Sequence, residues 1–390
     1  MRVWVAAGGT GGHLYPALAV ADELGTVDPS GTLWFAVSRR GLEERVLAQQ
    51  DRKAVPLLAE GLHRREVVRN LLFPFRTLVA LFQSLAAVVR LRPQVAFGTG
   101  GFVTGPALLA ARLLGVPYLL IALDTHPGVT IRLLASRARR VFVTASEAHA
   151  VLGMRRNVEV VGVPIRRTEA VERVAARRAL ELPEDSTLLF VTGGSQGSRA
   201  LNRAVQQALT LILRMGDTAV LWQTGEIESE ELQAFAQAVV ANTPGRDPRR
   251  VKVVPFIEQM ELAWSAADLA VCRAGASTVA ELTAYGVPSI LVPLTTSAGG
   301  HQERNAQAMV TAGASQLLPE GDLNGERLAL TLQELLEDTD RRSAMAAAAG
   351  RTAHFGAARR IVECLIAEAR IDEEERRSLQ TRFQGGGVGR

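Results

Sequence analysis

The sequence is poor in cysteine, in net charge and in long apolar runs, and each shortage excludes a class of protein. Cys272 and Cys364 are the only two cysteines, too few for a disulfide framework, so we expect a reducing compartment. A formal net charge of +4 over 390 residues gives no reason to expect a nucleic-acid partner. The most apolar stretch, residues 71–91, is interrupted by a proline, two arginines and a glutamine, so it falls short of the ~20 apolar residues of a membrane span. Only five apolar residues follow Arg2 before the first glycines, too few for a signal peptide, so we expect a cytoplasmic protein.

The sequence also lacks the common nucleotide-binding motifs, although it is rich in glycine turns. No G-x-x-x-x-G-K-[ST] occurs, which disfavours a P-loop ATPase. The dinucleotide motif G-x-G-x-x-G fails at Leu14, and the second predicted strand ends in VSRR without an acid for a ribose, which disfavours a dehydrogenase. The only Asp-x-Asp, residues 338–340, lies between an amphipathic helix and an alanine run. We interpret it as a helix junction and predict neither a bound metal nor a cofactor.

Short apolar runs alternate with longer Ala/Leu-rich segments of helical period along most of the chain, which predicts parallel sheets covered by helices on both faces. The predicted strands are Arg2–Ala6, Thr32–Val37, Gln94–Phe97, Tyr118–Ile121, Val141–Thr144, Val158–Val161, Thr187–Thr192, Ala219–Gln223, Val251–Val254, Leu269–Cys272 and Ser289–Val292.

A strand followed by a glycine turn occurs at the start of each half of the chain. The first reads VWVAAGGTGGH, from residue 3, and the second reads LLFVTGGSQGS, from residue 188. We therefore predict an α/β protein of two Rossmann-like, doubly wound domains that face one another across a cleft at the carboxyl ends of their strands. The predicted boundaries are 1–163, 164–350, a helix over 351–370 that packs back on the first domain, and a disordered tail over 371–390.

Two further segments are typical of ligand sites. FGTGGFVTGP, residues 97–106, is a third glycine-rich turn, and together the turns suggest a bulky phosphate-bearing or hydroxyl-rich ligand lying against backbone. In the segment from 272 to 306, Ser277 or Thr278 can cap a helix that carries Glu281, a carboxylate suited to a ribose diol. The alternative is an acid that only complements the helix dipole. An extended loop then leads to His301, Gln302 and Asn305, whose polar side chains are suited to sugar hydroxyls.

Taken together, these segments resemble the MurG family of glycosyltransferases. The resemblance is carried, in family order, by GGTGGHLYPALAVA, GTGGFVTGP, GVPIR, GGSQGSRALN, PFIEQM, CRAGASTVAEL and HQERNA. It implies a GT-B fold and an inverting enzyme that moves N-acetylglucosamine from UDP-GlcNAc to the MurNAc 4-hydroxyl of lipid I, which gives the peptidoglycan precursor lipid II. It also implies a peripheral location on the cytoplasmic face of the bacterial inner membrane, with lipid I, an anionic membrane surface and other cell-wall synthesis proteins as partners.

The resemblance also assigns roles to individual residues. For the donor it implies Thr10, Gly11 and Gly12, Arg166 and Ser195 at the phosphates, Phe256 and Ile257 at the uracil, Glu281 at the ribose, and His301 and Gln302 at the sugar. For the acceptor side it implies Gly100, Gly101, Phe102, Asp124 and His126.

An inverting transfer needs a base near the acceptor hydroxyl. Histidine is the residue type that most often acts as a base at neutral pH, and His13 follows a glycine turn, so it is the preferred base; the alternative is a histidine that only bonds to the backbone. The family usually carries His-Glu-Gln-Asn where this chain has Ile121, Ala122, Leu123 and Asp124. Asp124 or His126 is therefore the alternative base, and an altered acceptor stays open.

Residues 63–76, HRREVVRNLLFPFR, mix arginine with leucine and phenylalanine, a composition suited to an anionic membrane surface. The predicted membrane-contact residues are Arg64, Arg65, Arg69, Leu72, Phe73, Phe75 and Arg76. An ordinary amphipathic surface helix would have a similar composition.

Three rival functions share the predicted fold. The first is a related transferase with a different lipid or small-molecule acceptor, which the change at 121–124 favours. The second is a UDP-GlcNAc 2-epimerase, which the HQERNA segment disfavours. The third is a UDP-GlcNAc-binding protein that catalyses no transfer.

Overall fold

A computed structural model describes residues 1–8, 11–39, 42–61, 73–124, 127–144, 146–153, 155–166, 171–243, 247–297, 300–353 and 356–385. The chain divides into two compact units. The first unit comprises residues 1–167 together with 355–390, and the second unit comprises residues 168–354. These divisions lie close to the predicted ones after residues 163 and 350.

Strands and helices alternate along the described chain. The strands are β1 (Arg2–Ala6), β2 (Thr32–Ser38), β3 (Lys53–Leu57), β4 (Val95–Gly98), β5 (Tyr118–Ala122), β6 (Arg140–Val143), β7 (Val158–Val160), β8 (Thr187–Thr192), β9 (Thr218–Gln223), β10 (Val251–Val254), β11 (Leu269–Cys272), β12 (Ser289–Leu291) and β13 (Ser315–Leu317). The helices are α1 (Gly11–Val27), α2 (Leu42–Gln49), α3 (Phe73–Leu91), α4 (Thr104–Leu113), α5 (Val129–Ala135), α6 (Ser146–Val151), α7 (Arg173–Ala179), α8 (Arg199–Ile212), α9 (Ser229–Ala241), α10 (Met260–Ala266), α11 (Ala276–Tyr285), α12 (His301–Thr311), α13 (Gly325–Glu337), α14 (Thr339–Arg351), α15 (Ala357–Glu368) and α16 (Glu373–Gly385).

In the first unit, the described strands form a parallel sheet in the order β3-β2-β1-β4-β5-β6-β7. Consecutive residues of one strand point to opposite faces, so Val3 and Val5 enter the core on one side of the sheet while Trp4 enters the core on the other. Both faces are therefore covered, as a parallel sheet requires.

The C-terminal segment belongs to the first unit. Helix α15 packs on α1, and its buried residues Ile361, Val362 and Leu365 share a core with Leu14 and Leu18. The last stretch was predicted to be a disordered tail, but residues 373–385 form helix α16, so that prediction was wrong. Leu379 of α16 is buried in the same core, and this burial is what orders a segment whose composition is mostly charged.

In the second unit, the described strands form a parallel sheet in the order β10-β9-β8-β11-β12-β13. Trp222 and Trp264 lie in the cores on its two faces. The predicted fold class, two doubly wound α/β units with parallel sheets, is thereby confirmed.

Two edge strands, β3 and β13, were missed in the sequence. Strand β3 is largely exposed or half-buried and contains Pro56. The proline is tolerated because an edge strand has a hydrogen-bonded neighbour on one side only. Strand β13 has only three residues. Neither shows the buried apolar run by which the central strands were recognised.

Candidate active site

In each sheet the strand order reverses between two neighbouring strands, which is where open α/β sheets bind ligands. In the first unit these neighbours are β1 and β4. Their carboxyl ends lead into Gly8 and the start of α1 on one side, and into Thr99, Gly100 and Gly101 on the other. Two of the three predicted glycine turns therefore meet at one edge of one sheet.

A cavity of about 490 Å³ opens at this edge, and we call it the switch-point cavity. It is lined by His13, Gly61, Phe73, Thr99, Gly100, Gly101, Phe102, Ile121, Ala122, Leu123, Asp124, Pro127, Gly128, Val129, Thr130 and Ile131. It thus brings together His13, Asp124 and the predicted acceptor-side residues Gly100, Gly101 and Phe102. Most of the other lining side chains are apolar. Among the described residues that line it, His13 and Asp124 are the ionisable ones.

His13 is held by Thr99 through two hydrogen bonds. Its Nδ1 lies 2.9 Å from the Thr99 carbonyl oxygen, and the Thr99 hydroxyl donates to the His13 carbonyl oxygen at 2.8 Å. A carbonyl oxygen only accepts, so Nδ1 carries the hydrogen and Nε2 of the neutral ring has the lone pair. These hydrogen bonds to the backbone do not exclude a catalytic role for His13. The ring orientation that they fix leaves the lone pair of Nε2 able to accept a proton.

The glycines around His13 are required by packing within the chain. A Cβ on Gly101 would lie 2.0 Å from the Gly8 carbonyl oxygen, and Gly101 has a φ of +79°. A Cβ on Gly100 would lie 3.1 Å from His13 Cε1. These contacts require glycine at both positions whether or not a ligand also lies against the backbone. The missing side chains of Gly100 and Gly101 make room for the imidazole ring of His13.

In the second unit the order reverses between β8 and β11. The loop after β8 contains the half-buried Ser195 and leads into α8, whose first turn is capped by Ser198. Gly197 has a φ of +72°, and a Cβ there would lie 1.9 Å from the Thr224 carbonyl oxygen. The loop is therefore pressed against the end of β9, and Ser195 is presented beside the N-terminus of α8, where backbone N–H groups favour anions.

Arg273, which directly follows β11, was not recognised as a site residue in the sequence. Its guanidinium is buried, donates to the Ser198 hydroxyl from Nη2 at 2.7 Å and pairs with Glu320. Nη1 donates to the Val292 carbonyl oxygen at 3.1 Å. Arg273 therefore ties the cap of α8 to the end of β12. The available signal was an arginine placed directly after a fully buried strand.

Glu281 lies on α11, and one of its carboxylate oxygens accepts a hydrogen bond from the Trp264 indole N–H at 2.9 Å. Burial raises the pKa of Glu281 to about 7, the Trp264 hydrogen bond opposes this rise, and the charge of Glu261 adds to it. A carboxylate in this environment carries a desolvation cost that a ligand with two hydroxyl donors would offset.

Side chains at the other predicted donor positions are partly engaged within the unit. Ile257 is 6% exposed, so only its main chain could contact a nucleobase. Phe256 is half-buried. Gln302 accepts from the Leu294 backbone N–H at 2.9 Å, and His301 begins α12. Asn305, expected to meet sugar hydroxyls, instead donates to the Ala274 carbonyl oxygen at 3.0 Å and holds the loop before α11.

Arg166 was expected to contact the donor phosphates, but its guanidinium is engaged within the first unit. Its Nε lies 2.7 Å from a carboxylate oxygen of Asp22, and Nη2 donates to Gln50 at 2.7 Å. Gly11 and Gly12 form the first turn of α1. Thr10 and His126 lie outside the described residues.

The predicted membrane-contact residues separate into different environments. Arg64, Arg65, Arg69 and Leu72 lie outside the described residues. Phe73 lines the switch-point cavity, and Arg76 pairs with Glu60. Phe75 is 64% exposed on α3. Of the described members, Phe75 alone has the exposed apolar side chain that membrane contact requires.

Helix α3 is long and apolar enough to cross a membrane, by length and composition only. Few of its residues are buried. Its buried residues Ala80, Ser84, Ala87 and Val88 face the domain, where α3 packs against α4. The opposite face exposes Leu78, Phe82 and Val89 as well as Phe75. Helix α3 is thus an outer helix of the first unit with an apolar exposed face.

The Asp-x-Asp triplet is a helix junction, as predicted. Asp338 ends α13 and caps α14, where it accepts from the Arg341 backbone N–H at 2.8 Å. Across the described ranges, no group of three or more His, Cys, Asp or Glu side chains is arranged to hold a metal ion.

Comparison with known proteins covers both units. The Glycosyltransferase family 28 N-terminal domain matches residues 3–143, and the Glycosyltransferase family 28 C-terminal domain matches residues 188–361. A UDP-N-acetylglucosamine--N-acetylmuramyl-(pentapeptide) pyrophosphoryl-undecaprenol N-acetylglucosamine transferase from Salinibacter ruber is 41% identical over 370 residues, which cover 94% of this chain and 97% of that protein. A protein of the same name from Alkalilimnicola ehrlichii is 40% identical, over 95% of this chain and 99% of its own.

Solved structures agree with these sequence matches. The crystal structure of Acinetobacter baumannii MurG superposes with a TM-score of 0.66 at 29% identity, covering 93% of this chain and 98% of that one. A UDP-GlcNAc 2-epimerase from Neisseria meningitidis gives a TM-score of 0.63 over 94% of this chain and all of its own, but at 15% identity it shows a shared fold alone. The chain belongs to the MurG family, the UDP-N-acetylglucosamine-dependent N-acetylglucosaminyltransferases of glycosyltransferase family 28.

Proposed function

We propose that this chain transfers N-acetylglucosamine from UDP-GlcNAc to the MurNAc 4-hydroxyl of undecaprenyl-linked lipid I, giving lipid II, with inversion at the anomeric carbon. The names of its relatives over nearly their full length support this reaction. The acceptor oxygen forms the new bond to the anomeric carbon, the bond to the UDP oxygen breaks, and the hydroxyl proton passes to a base.

The observation that carries the proposal is the orientation of His13. Its Nδ1–H is committed to the Thr99 carbonyl oxygen at 2.9 Å, so Nε2 is the basic nitrogen at the switch-point cavity. The imidazolium that forms on proton transfer keeps this hydrogen bond, which is stronger when the donor is charged. His13 therefore serves as the general base, and Asp124, which also lines the cavity, is the alternative base.

The second unit binds the donor in this proposal. Glu281 accepts the two ribose hydroxyls, and the main chain at Ile257 with the Phe256 side chain meets the uracil. Ser195 and the N-terminus of α8 stabilise the charge that develops on the departing diphosphate. His301 and Gln302, at the start of α12, contact the sugar.

The acceptor enters the switch-point cavity, where Gly100, Gly101 and Phe102 form one wall. Ile121, Ala122 and Leu123 are each less than 10% exposed and replace three polar positions of the usual family pattern. Among the described residues that line the cavity, His13 and Asp124 are then the ionisable groups that can recognise the acceptor. An altered acceptor is therefore the outcome against which lipid I must be tested.

The exposed face of α3 contacts an anionic membrane surface in this proposal. Phe75, Leu78, Phe82 and Val89 recur along one exposed side of α3, so this face can insert shallowly among lipid headgroups while the buried side stays packed on the unit. The enzyme would then act peripherally on the cytoplasmic face of the inner membrane, where its lipid substrate resides.

The test is incubation of the purified protein with labelled UDP-GlcNAc and a short-chain lipid I analogue. Formation of labelled lipid II supports the proposal. Release of the 2-epimer without transfer would support an epimerase, and binding of UDP-GlcNAc without turnover would support a binding protein. Transfer to another acceptor but not to lipid I would overturn the assigned substrate.

A further inference from the structure

We infer that Trp264 is a positioning residue for donor binding: its indole N–H fixes the Glu281 carboxylate in the orientation that accepts the ribose hydroxyls. This inference rests on the proposed role of Glu281 at the ribose. It adds a residue on a different helix whose effect on the donor passes through Glu281.

Trp264 is itself rigidly held. It is 1% exposed on α10, and its ring meets that of Phe190 on β8 edge to face, with centroids 4.8 Å apart and planes at 72°. A buried indole in this arrangement cannot turn without disturbing the core. The position of Nε1 is therefore set by the packing of α10 on the sheet.

The indole N–H reaches the Glu281 carboxylate at 2.9 Å, which joins α10 to α11 through one hydrogen bond. Each carboxylate oxygen has about two acceptor positions, so one bond from Nε1 leaves positions on both oxygens for hydroxyl donors. The bond thus restricts the carboxylate to one orientation without occupying it fully. It also favours the ionised form, because it opposes the rise in pKa that burial causes in Glu281.

Phenylalanine at position 264 would keep an aromatic ring near Phe190 and remove the N–H donor, although the smaller ring also leaves a cavity in the core. A hydrogen bond to a charged group supports about tenfold or more in an equilibrium constant. Trp264→Phe should therefore weaken UDP binding about tenfold, and it should do so by reducing recognition of the ribose.

The measurement is the dissociation constant of UDP and of 2′-deoxy-UDP, by isothermal titration calorimetry on the full chain. The wild type is expected to prefer UDP. Glu281→Ala should remove this preference, and Trp264→Phe should reduce it and also lower the melting temperature, because it leaves a cavity in the core. Trp222→Phe is the matched control: it makes the same substitution in the core on the opposite face of the sheet, where the indole N–H donates to Asn202 at 3.1 Å, so it should lower the melting temperature but keep the preference.

The outcomes separate the inference from the proposed function on which it rests. If Glu281→Ala keeps the preference for UDP, the ribose role of Glu281 is wrong. If Glu281→Ala loses the preference and Trp264→Phe keeps it, the positioning role of Trp264 is wrong although Glu281 still binds ribose. If Trp222→Phe loses the preference as fully as Trp264→Phe, the effect is one of core packing and the inference fails.

A second measurement needs no replacement of Trp264. In the ¹⁵N-labelled protein, the indole N–H resonance that moves between wild type and Glu281→Gln reports on this hydrogen bond. Addition of UDP to the wild type should shift that resonance more than addition of 2′-deoxy-UDP. An indole resonance that is unmoved at saturating UDP would overturn the inference.

Discussion

Glu281→Gln is expected to stabilise the second unit in the absence of donor, and to do so more at alkaline than at acid pH. The pKa of Glu281 is raised to about 7 from its ordinary 4.5, with burial as the main cause. Between these two pH values the folded protein holds a proton that the unfolded chain has released. The free energy of unfolding that Glu281 contributes therefore falls as pH rises from about 4.5 through 7.

The size of this effect follows from the shift. One pKa unit corresponds to about 1.4 kcal/mol, so the ionised carboxylate costs on the order of 3 kcal/mol above pH 7 and little below pH 5. Glutamine does not titrate, and its amide oxygen can still accept from Trp264. We therefore expect the stability difference between variant and wild type to grow by about 2 kcal/mol from pH 5 to pH 8.

The assay is thermal unfolding followed by tryptophan fluorescence, since Trp222 and Trp264 are buried in the second unit. A gain of about 2 kcal/mol corresponds to a rise of roughly 4–8 °C in melting temperature for a unit of this size. Other titrating groups are common to both proteins and cancel in the difference. A difference that is equal at pH 5 and pH 8 would refute the reasoning, because it would mean that Glu281 titrates normally.

Three further outcomes test the first unit. His13→Ala should lower kcat for lipid II formation by about 10²; a normal rate would assign the role of general base to Asp124 instead. Gly101→Ala should lower the free energy of unfolding by about 2 kcal/mol or more in urea titration, whereas Gly25→Ala, with open space around it, should raise it slightly. Phe75→Ser combined with Phe82→Ser should reduce sedimentation with anionic vesicles at least tenfold, since each apolar ring is worth about 1.5–3 kcal/mol on burial; unchanged sedimentation would exclude α3 as the contact.

The central strands of both sheets could be predicted because they are buried on both faces, and their sequences are therefore continuous apolar runs. Strands β1, β8 and β11 have the predicted bounds, and so does β10, an edge strand in which three of the four residues are valine. The edge strand β3 could not be recognised in this way, because an exposed edge needs no such run. Helix α16 is a related case: its charged composition predicts disorder, and only the burial of Leu379 shows why it is ordered.

Candidate site residues could be predicted where they stand in a recognisable sequence motif. They were missed where only folding brings them close to the other site residues. His13 and Glu281 stand in recognisable segments. Trp264 and Arg273 act through contacts with Glu281, 17 positions away, and with Ser198, 75 positions away. No local pattern encodes such pairs, because their proximity is created by the packing of helices on a parallel sheet.

The order of apolar runs and glycine turns by itself determined two doubly wound α/β units and the edge of each sheet at which a ligand would bind, since strand polarity and glycine conformation are local properties. Tertiary structure alone decided which nitrogen of His13 is basic, why Glu281 resists ionisation and what the glycines contact. Those properties depend on neighbours from distant parts of the chain, and on the water that their packing excludes.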